Sequence, residues 1–297
     1  MPIEDFIINV FCCVDLFFSE VVNKSKLRRS GFPPSLSDPE VITIEIVGEF
    51  LKIDTDKGIW EYFSSHWKYW FPGLGSRTAF VKQAANLLQV KQEIQLKLSI
   101  KLNAFSDQLH FIDGFPMPIC KYARSNQVKL FSMDAAYGYC ASKDEKYYGF
   151  KGNLAINSIG VISGLTVTAA NVDERKSMFD FIDKIKGLLI GDMGFIGDDL
   201  QKQLQEAYEI NLQTPKRKNM PDDRSPEYVG AMKSMRRLVE TVISQLTGRF
   251  NIAKVWARDP WHLSNRVTRK ILSHTMAIFI NSKIGRDPLK FDGLITC

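Results

Sequence analysis

Leu109-His110-Phe111-Ile112-Asp113-Gly114 and Leu188-Leu189-Ile190-Gly191-Asp192 are two short apolar runs that each arrive at an aspartate. Runs of this length, bounded by Gly and Asp, read as buried strands. An aspartate at the end of a buried strand is carried by a rigid element while its oxygens reach solvent, which suits a hard cation. Asp beside Gly also favours a turn, so either residue taken singly reads better as one. Two of them on neighbouring strands, with a third carboxylate in reach, shift the reading towards a metal site.

Outward from this pair the texture is that of a sheet domain. From Gln108, the runs Leu109 to Ile112, Leu130 to Met133, Phe150 to Ile162 with a turn inside it, and Leu165 to Ala169 read as closely spaced strands. A helix from Lys176 to Lys186, a strand at Leu188 to Ile190, a helix from Gly197 to Tyr208 and a strand at Ile210 to Thr214 follow. Strands in succession and then strands alternating with helices give an α/β class, a mixed sheet flanked by helices. That order suits a ribonuclease-H-like fold without excluding other α/β folds.

The third carboxylate comes from a helix expected over Tyr228 to Phe250. Met232, Met235, Val239, Val242, Ile243 and Leu246 share one face at helical spacing, so that face packs on the sheet. Lys233, Arg236, Glu240, Ser244 and Thr247 form a stripe along its border. Glu240 is thereby at the edge of the packed face, although spacing alone favours an exposed Glu paired with Arg236 one turn earlier. Three carboxylates suit in-line displacement at phosphorus, in which two cations about 3.5–4 Å apart serve the attacking and the leaving oxygen. In that arrangement Asp113 bridges two Mg²⁺ ions, with Mn²⁺ a possible substitute, Asp192 holds one and Glu240 the other.

Residues 1–103 read as an all-helical N-terminal region that could bind DNA or pack as a plain bundle, and 104–297 as the catalytic domain. Ser37-Asp38-Pro39-Glu40 has the form of a capping box opening a helix through Leu51. Trp60, Trp67, Trp70 and Phe71 precede the break Pro72-Gly73-Leu74-Gly75. Ser76 then caps a long helix to Leu98 that carries Arg77, Lys82, Lys91 and Lys97. The apolar run Phe6 to Phe18 is broken by Asn9 and Asp15 and lacks a basic leader, so it reads as neither a membrane span nor a signal peptide. Cys12, Cys13, Cys120, Cys140 and Cys297 make neither a zinc spacing nor a disulfide framework. A cytosolic protein is expected.

The net charge of +6 is unevenly spread: residues 211–297 carry 16 Lys and Arg against 7 Asp and Glu. Clustered cations are a footprint for a polyanion, because they release counterions on meeting phosphates. Lys216, Arg217 and Lys218 in one loop, with Lys233, Arg236 and Arg237 on the helix, are the candidate DNA contacts. Lys254, Trp256, Arg258 and Trp261 mix cations with aromatics in the same third, a pattern shared by base-stacking surfaces and by loops over a buried Trp.

Five ordered segments, FIDGFPMPIC at 111–120, YYGFKGN at 147–153, IGDMGF at 190–195, TPKRKNM at 214–220 and RLVETVISQL at 237–246, resemble the DDE transposases of small bacterial insertion sequences, in particular the type of insertion sequence nine-eight-two. The resemblance runs from Gln108 to Val255. It implies a ribonuclease-H-like catalytic domain in which Asp113, Asp192 and Glu240 are the catalytic and metal-holding residues. It also implies strand cleavage at element ends, transfer to target DNA, work near the nucleoid and a homo-oligomer assembled on DNA. A nuclease that never joins, or a silent DNA-binding descendant, is the alternative. Related families extend the last block with a Tyr and a Lys. Here those positions are Lys233 and Thr247, so only Arg236 and Glu240 match. Asp134 and the Asp173-Glu174-Arg175 turn are further acids that could support the site. Asp198 and Asp199 favour a helix dipole, and His110 reads as a packed or capping residue.

Overall fold

The computed structural model describes residues 1–22, 27–28, 30, 32–140 and 144–296; Cys297 lies outside them. The chain divides into two compact units, one formed by Met1–Leu98 with Gly248–Cys297, the other by Ser99–Thr247. Residues 248–297 thus cluster with the N-terminal helices, whereas the sequence reading had kept them with the sheet. Aromatic packing accounts for the difference: the Phe50 ring lies 4.8 Å from Phe6, 6.0 Å from Phe291 and 6.4 Å from Phe250.

The first unit contains α1 (Ile3–Val22), α2 (Asp38–Phe50), α3 (Asp56–His66), α4 (Arg77–Asn86), most of α5 (Leu88–Lys101) and α9 (Pro260–Lys283). Among the described residues no helix is long and apolar enough to cross a membrane. The capping box opens α2 as its sequence requires: Ser37 N–H donates to Glu40 Oε2 at 2.7 Å and Glu40 N–H to Ser37 Oγ at 3.4 Å. The long helix expected after Ser76 is two helices broken at Leu87. Lys91 is fully buried, its Nζ 2.6 Å from the equally buried Glu45. α2 is buried all round, and α9 sends Arg269 and Lys270 to it: Arg269 Nε meets Glu49 Oε1 at 2.5 Å and Lys270 Nζ meets Glu49 Oε2 at 2.6 Å. Asp56 joins through Arg269 and through Arg266 at 2.5 Å. Part of the basic excess of the last third is therefore internal counter-charge.

The second unit is built on a six-stranded mixed sheet. β1 (Leu109–Lys121) is its centre. β3 (Glu145–Asn157) runs antiparallel along one edge of β1, and β5 (Gly187–Ile190) runs parallel along the other, followed by parallel β6 (Ile210–Gln213). β2 (Ala136–Cys140) and β4 (Ile162–Ala169) share the far edge of β3, the first pairing its start and the second its end. The strand expected at Leu130 to Met133 is a turn; β2 begins after it, where Tyr137 and Tyr139 alternate with Gly138. The helix expected over Lys176 to Lys186 is only α6 (Glu174–Ser177) and two 3₁₀ turns, because Met178, Phe181, Ile182 and Ile185 are all buried in one layer. That layer, with α7 (Asp198–Tyr208), covers the face of the sheet bearing Ile112 and Leu189. α8 (Pro226–Gly248) buries Met232, Val239, Val242 and Leu246, while Met235, expected on the same face, is exposed. Gly187 opens β5 at φ +85°, and a Cβ there would meet the Gln108 carbonyl at 2.5 Å, so only glycine fits the approach of β5 to β1.

Candidate active site

Parallel pairing brings the two aspartates together. Phe111 on β1 stands opposite Ile190 on β5, and Asp113 and Asp192 each lie two residues further along. Strands in this register advance together, so both carboxylates lie at one level across the sheet, where β5 has ended and β1 runs on to Lys121. Asp192 N-caps a 3₁₀ turn, its Oδ1 accepting from Gly194 N–H at 2.7 Å. Asp113 Oδ1 accepts from Gly114 N–H at 2.9 Å.

Alternation sends Asp113 to the face opposite Ile112, and α8 answers on that face. Arg236 Nη2 donates to Asp113 Oδ2 at 2.7 Å, and its Nη1 reaches Glu240 Oε1 at 3.2 Å. The helical pairing of Arg236 with Glu240 is therefore present, and the same guanidinium ties α8 to β1. Burial pushes the Asp113 carboxyl up; Arg236 offsets part of this and the negative Asp192 adds to it, leaving Asp113 at about 6. A raised carboxyl beside a second carboxylate marks a place short of positive charge.

Among the described residues no three His, Cys, Asp or Glu side chains are gathered as a ready metal cluster. The charge of Asp192 is felt at Asp113, and Glu240, half exposed, is turned to Arg236. The donor set nevertheless fits a hard divalent cation, for it is all oxygen and all anionic. Arg236 bridges Asp113 and Glu240 through its two terminal nitrogens.

The other candidates fall elsewhere. Lys216, Arg217 and Lys218 are exposed on the loop after β6, and Lys233 and Arg237 are exposed on α8. The loop is tied down by Arg224, which pairs with Asp222 at 2.7 Å and donates to the Thr214 carbonyl and to Gln213 Oε1, both at 2.9 Å. Asp134 is exposed in a turn, and Asp198 and Asp199 open α7. Asp173 caps α6 and grips Arg175 at 2.6 Å. His110 is fully buried, its Nε2 2.9 Å from the Asp107 carbonyl, which can only accept; burial lowers the ring's pKa.

Glu174 comes from the Asp173-Glu174-Arg175 turn. A Cβ on Gly114 would meet Glu174 Oε1 at 2.5 Å, so Glu174 lies directly over the residue after Asp113. Lys151 Nζ holds that carboxylate at 3.2 Å, and Asn153 donates to the Glu174 carbonyl at 2.8 Å. Lys151 and Asn153 belong to the segment YYGFKGN and stand on β3, where Asn153 pairs with Gly114. Only the register shows that this segment supports the strand carrying Asp113.

A family model described as a transposase DDE domain matches residues 103–259, more than half of the chain, and its span takes in Asp113, Asp192 and Glu240. No curated protein matches the chain.

Proposed function

The chain belongs to the transposase DDE-domain family, and from that premise we propose that it cleaves DNA strands at the ends of an insertion sequence and transfers them to target DNA. The observation that carries the reading is the convergence of Asp113 and Asp192 from parallel strands, with Arg236 drawing Glu240 to the same carboxylates. The antiparallel β4–β3–β1 run continued by parallel β5 and β6 supports a ribonuclease-H-like catalytic unit.

Asp113, Asp192 and Glu240 would hold two Mg²⁺ ions, with Mn²⁺ able to replace them. Bound there, such ions activate a water or 3′-hydroxyl and stabilise the leaving oxygen. The chain's own work is positional. β1 and β5 fix two carboxylates on rigid backbone, and α8 delivers the third. Arg236 supplies counter-charge in the metal-free chain and is free to turn to a phosphate once those carboxylates have other cations. Lys216, Arg217 and Lys218, with Lys233 and Arg237, would fix the DNA backbone without reading its sequence. A homo-oligomer on DNA is part of the proposal.

The test is a labelled duplex carrying the element's ends, mixed with purified protein and Mg²⁺. Nicks at the ends, and joining of a pre-cut end with a free 3′-hydroxyl to plasmid DNA, are expected, with both lost in Asp113→Asn. Cutting without joining would make the chain a nuclease. Binding with neither would make it a silent DNA-binding descendant. Protein trapped covalently on DNA would overturn the shared displacement mechanism.

A further inference from the structure

The helical unit carries a groove that this reaction leaves unused. Arg77, Lys82 and Asn86 of α4 face Trp261 and His262 of the first turn of α9 around a space of about 470 Å³. A second recess of about 250 Å³ shares Arg77 and Val81 with it and adds Trp256, so the two form one continuous surface.

Its aromatic rings are held open. Trp261 is 47% exposed and Trp256 71% exposed, and neither stacks on another ring among the described residues. Trp261 Nε1 donates to the Ala85 carbonyl at 3.2 Å, in the last turn of α4 where helical donors run out. That bond tethers one edge of the indole and leaves its face free. Asp259 caps α9 through His262 N–H at 2.9 Å and also holds the His262 ring, so the turn bearing Trp261 is preset.

Its cations are unspent. Arg77 sits in the first turn of α4, where the helix dipole disfavours positive charge, and neither Arg77 nor Lys82 has a carboxylate partner among the described residues. Two acids also line the second recess: Asp56 is claimed by Arg266 and Arg269, and Asp54 accepts from the Asn251 amide. Open aromatic faces beside free cations complement a ligand that offers both phosphate and unstacked base. Duplex bases are stacked on one another and cannot present their faces.

We propose that this groove binds unpaired DNA, with phosphates on Arg77 and Lys82 and bases on Trp261 and Trp256; the inference rests on the reading of the chain as a DNA-acting transposase. The test uses the full chain in EDTA with a 5-iododeoxyuridine-substituted oligodeoxythymidylate of about 20 nucleotides, a length that covers more than one stacking site, and a duplex of equal length. Photo-crosslinks should map to Trp261 or Trp256. Trp261→Ala should weaken single-strand binding about tenfold, the loss of one stacked base, and spare the duplex, while Trp261→Phe retains most affinity. Arg77→Gln with Lys82→Gln should lower the single-strand salt slope by about 1 to 2. Unchanged single-strand affinity in natively folded Trp261→Ala, crosslinks confined to other residues, or equal losses on duplex would overturn the proposal. Should Trp261→Ala fail to fold, the Phe variant's crosslinks and the Arg77/Lys82 pair decide. Asp113→Asn should bind the single strand like wild type, so failure of the cleavage reading and failure of the groove are separable.

Discussion

In the helical unit Glu45, Glu49 and Asp56 meet Lys91, Arg266, Arg269 and Lys270; in the sheet unit Asp113, Asp192 and Glu240 have Arg236 as their one ion-pair partner among the described residues. Burial alone would push carboxyl groups upward in both. At Asp56 the guanidiniums of Arg269 and Arg266 outweigh it and hold the group down at about 2. At Asp113 one guanidinium shared with Glu240 does not, and the group rises to about 6. Carboxylates whose counter-charge the chain supplies are part of the architecture. Burial still raises Glu45 despite Lys91 and Arg269, so the balance between burial and counter-charge is set group by group.

The largest effect that separates the two sets is on activity. Asp113→Asn, Asp192→Asn or Glu240→Gln should each lower end cleavage about a thousandfold or more, since metal catalysis is worth several kcal/mol of barrier. DNA binding should persist in a filter or mobility assay. Full cleavage by Asp192→Asn would remove that residue from the site.

The helical set should instead break the fold. Arg269→Met leaves Glu49 and Asp56 buried without their shared guanidinium, so a loss of about 3–5 kcal/mol is expected in urea unfolding. A change under about 1 kcal/mol, the value of an exposed pair, would mean that the network does not hold the fold together.

The two aspartates should then respond to pH with opposite signs. A carboxyl whose folded value lies below its unfolded one stabilises above the unfolded value and loses that contribution as pH falls. Asp56 should therefore contribute about 2 kcal/mol at pH 7, lost between roughly pH 4 and 2. A carboxyl whose folded value is raised opposes folding above that value. In metal-free protein Asp113→Asn should thus be more stable than wild type by about 1–3 kcal/mol at pH 8, the gap closing as pH falls through about 6 towards 4. A destabilised Asp113→Asn at pH 8 would contradict the charge imbalance. The smallest effect is expected in the basic loop: neutralising Lys216, Arg217 and Lys218 together should reduce the salt slope of DNA binding by up to about 3. An unchanged slope would remove the loop from the interface.

Much of this was legible in one dimension. The apolar runs ending at Asp113 and Asp192, the capping box at Ser37 to Glu40 and the apolar face of α8 are local patterns, and local sterics and burial enforce them. Glu240 entered only through the resemblance, because its spacing from Arg236 favours a surface pair, and that pair is present. Lys91, Arg269 and Lys270 could not be recognised as buried, since a lysine's or arginine's sequence neighbours do not reveal which distant carboxylate will neutralise it. The 3₁₀ turns after α6 were hidden for a related reason: dense packing of Met178, Phe181 and Ile182 overrode helical propensity.

By itself, then, the order of residues determined the strands that carry Asp113 and Asp192, the cap of α2 and the apolar face of α8, for these depend on neighbours within a few positions. The tertiary structure decided which carboxylates are already neutralised and which are not. It also assigned residues 248–297 to the helical unit and placed Glu174 over Gly114. Electrostatic balance and aromatic packing depend on groups far apart along the chain, and those meet only when it folds.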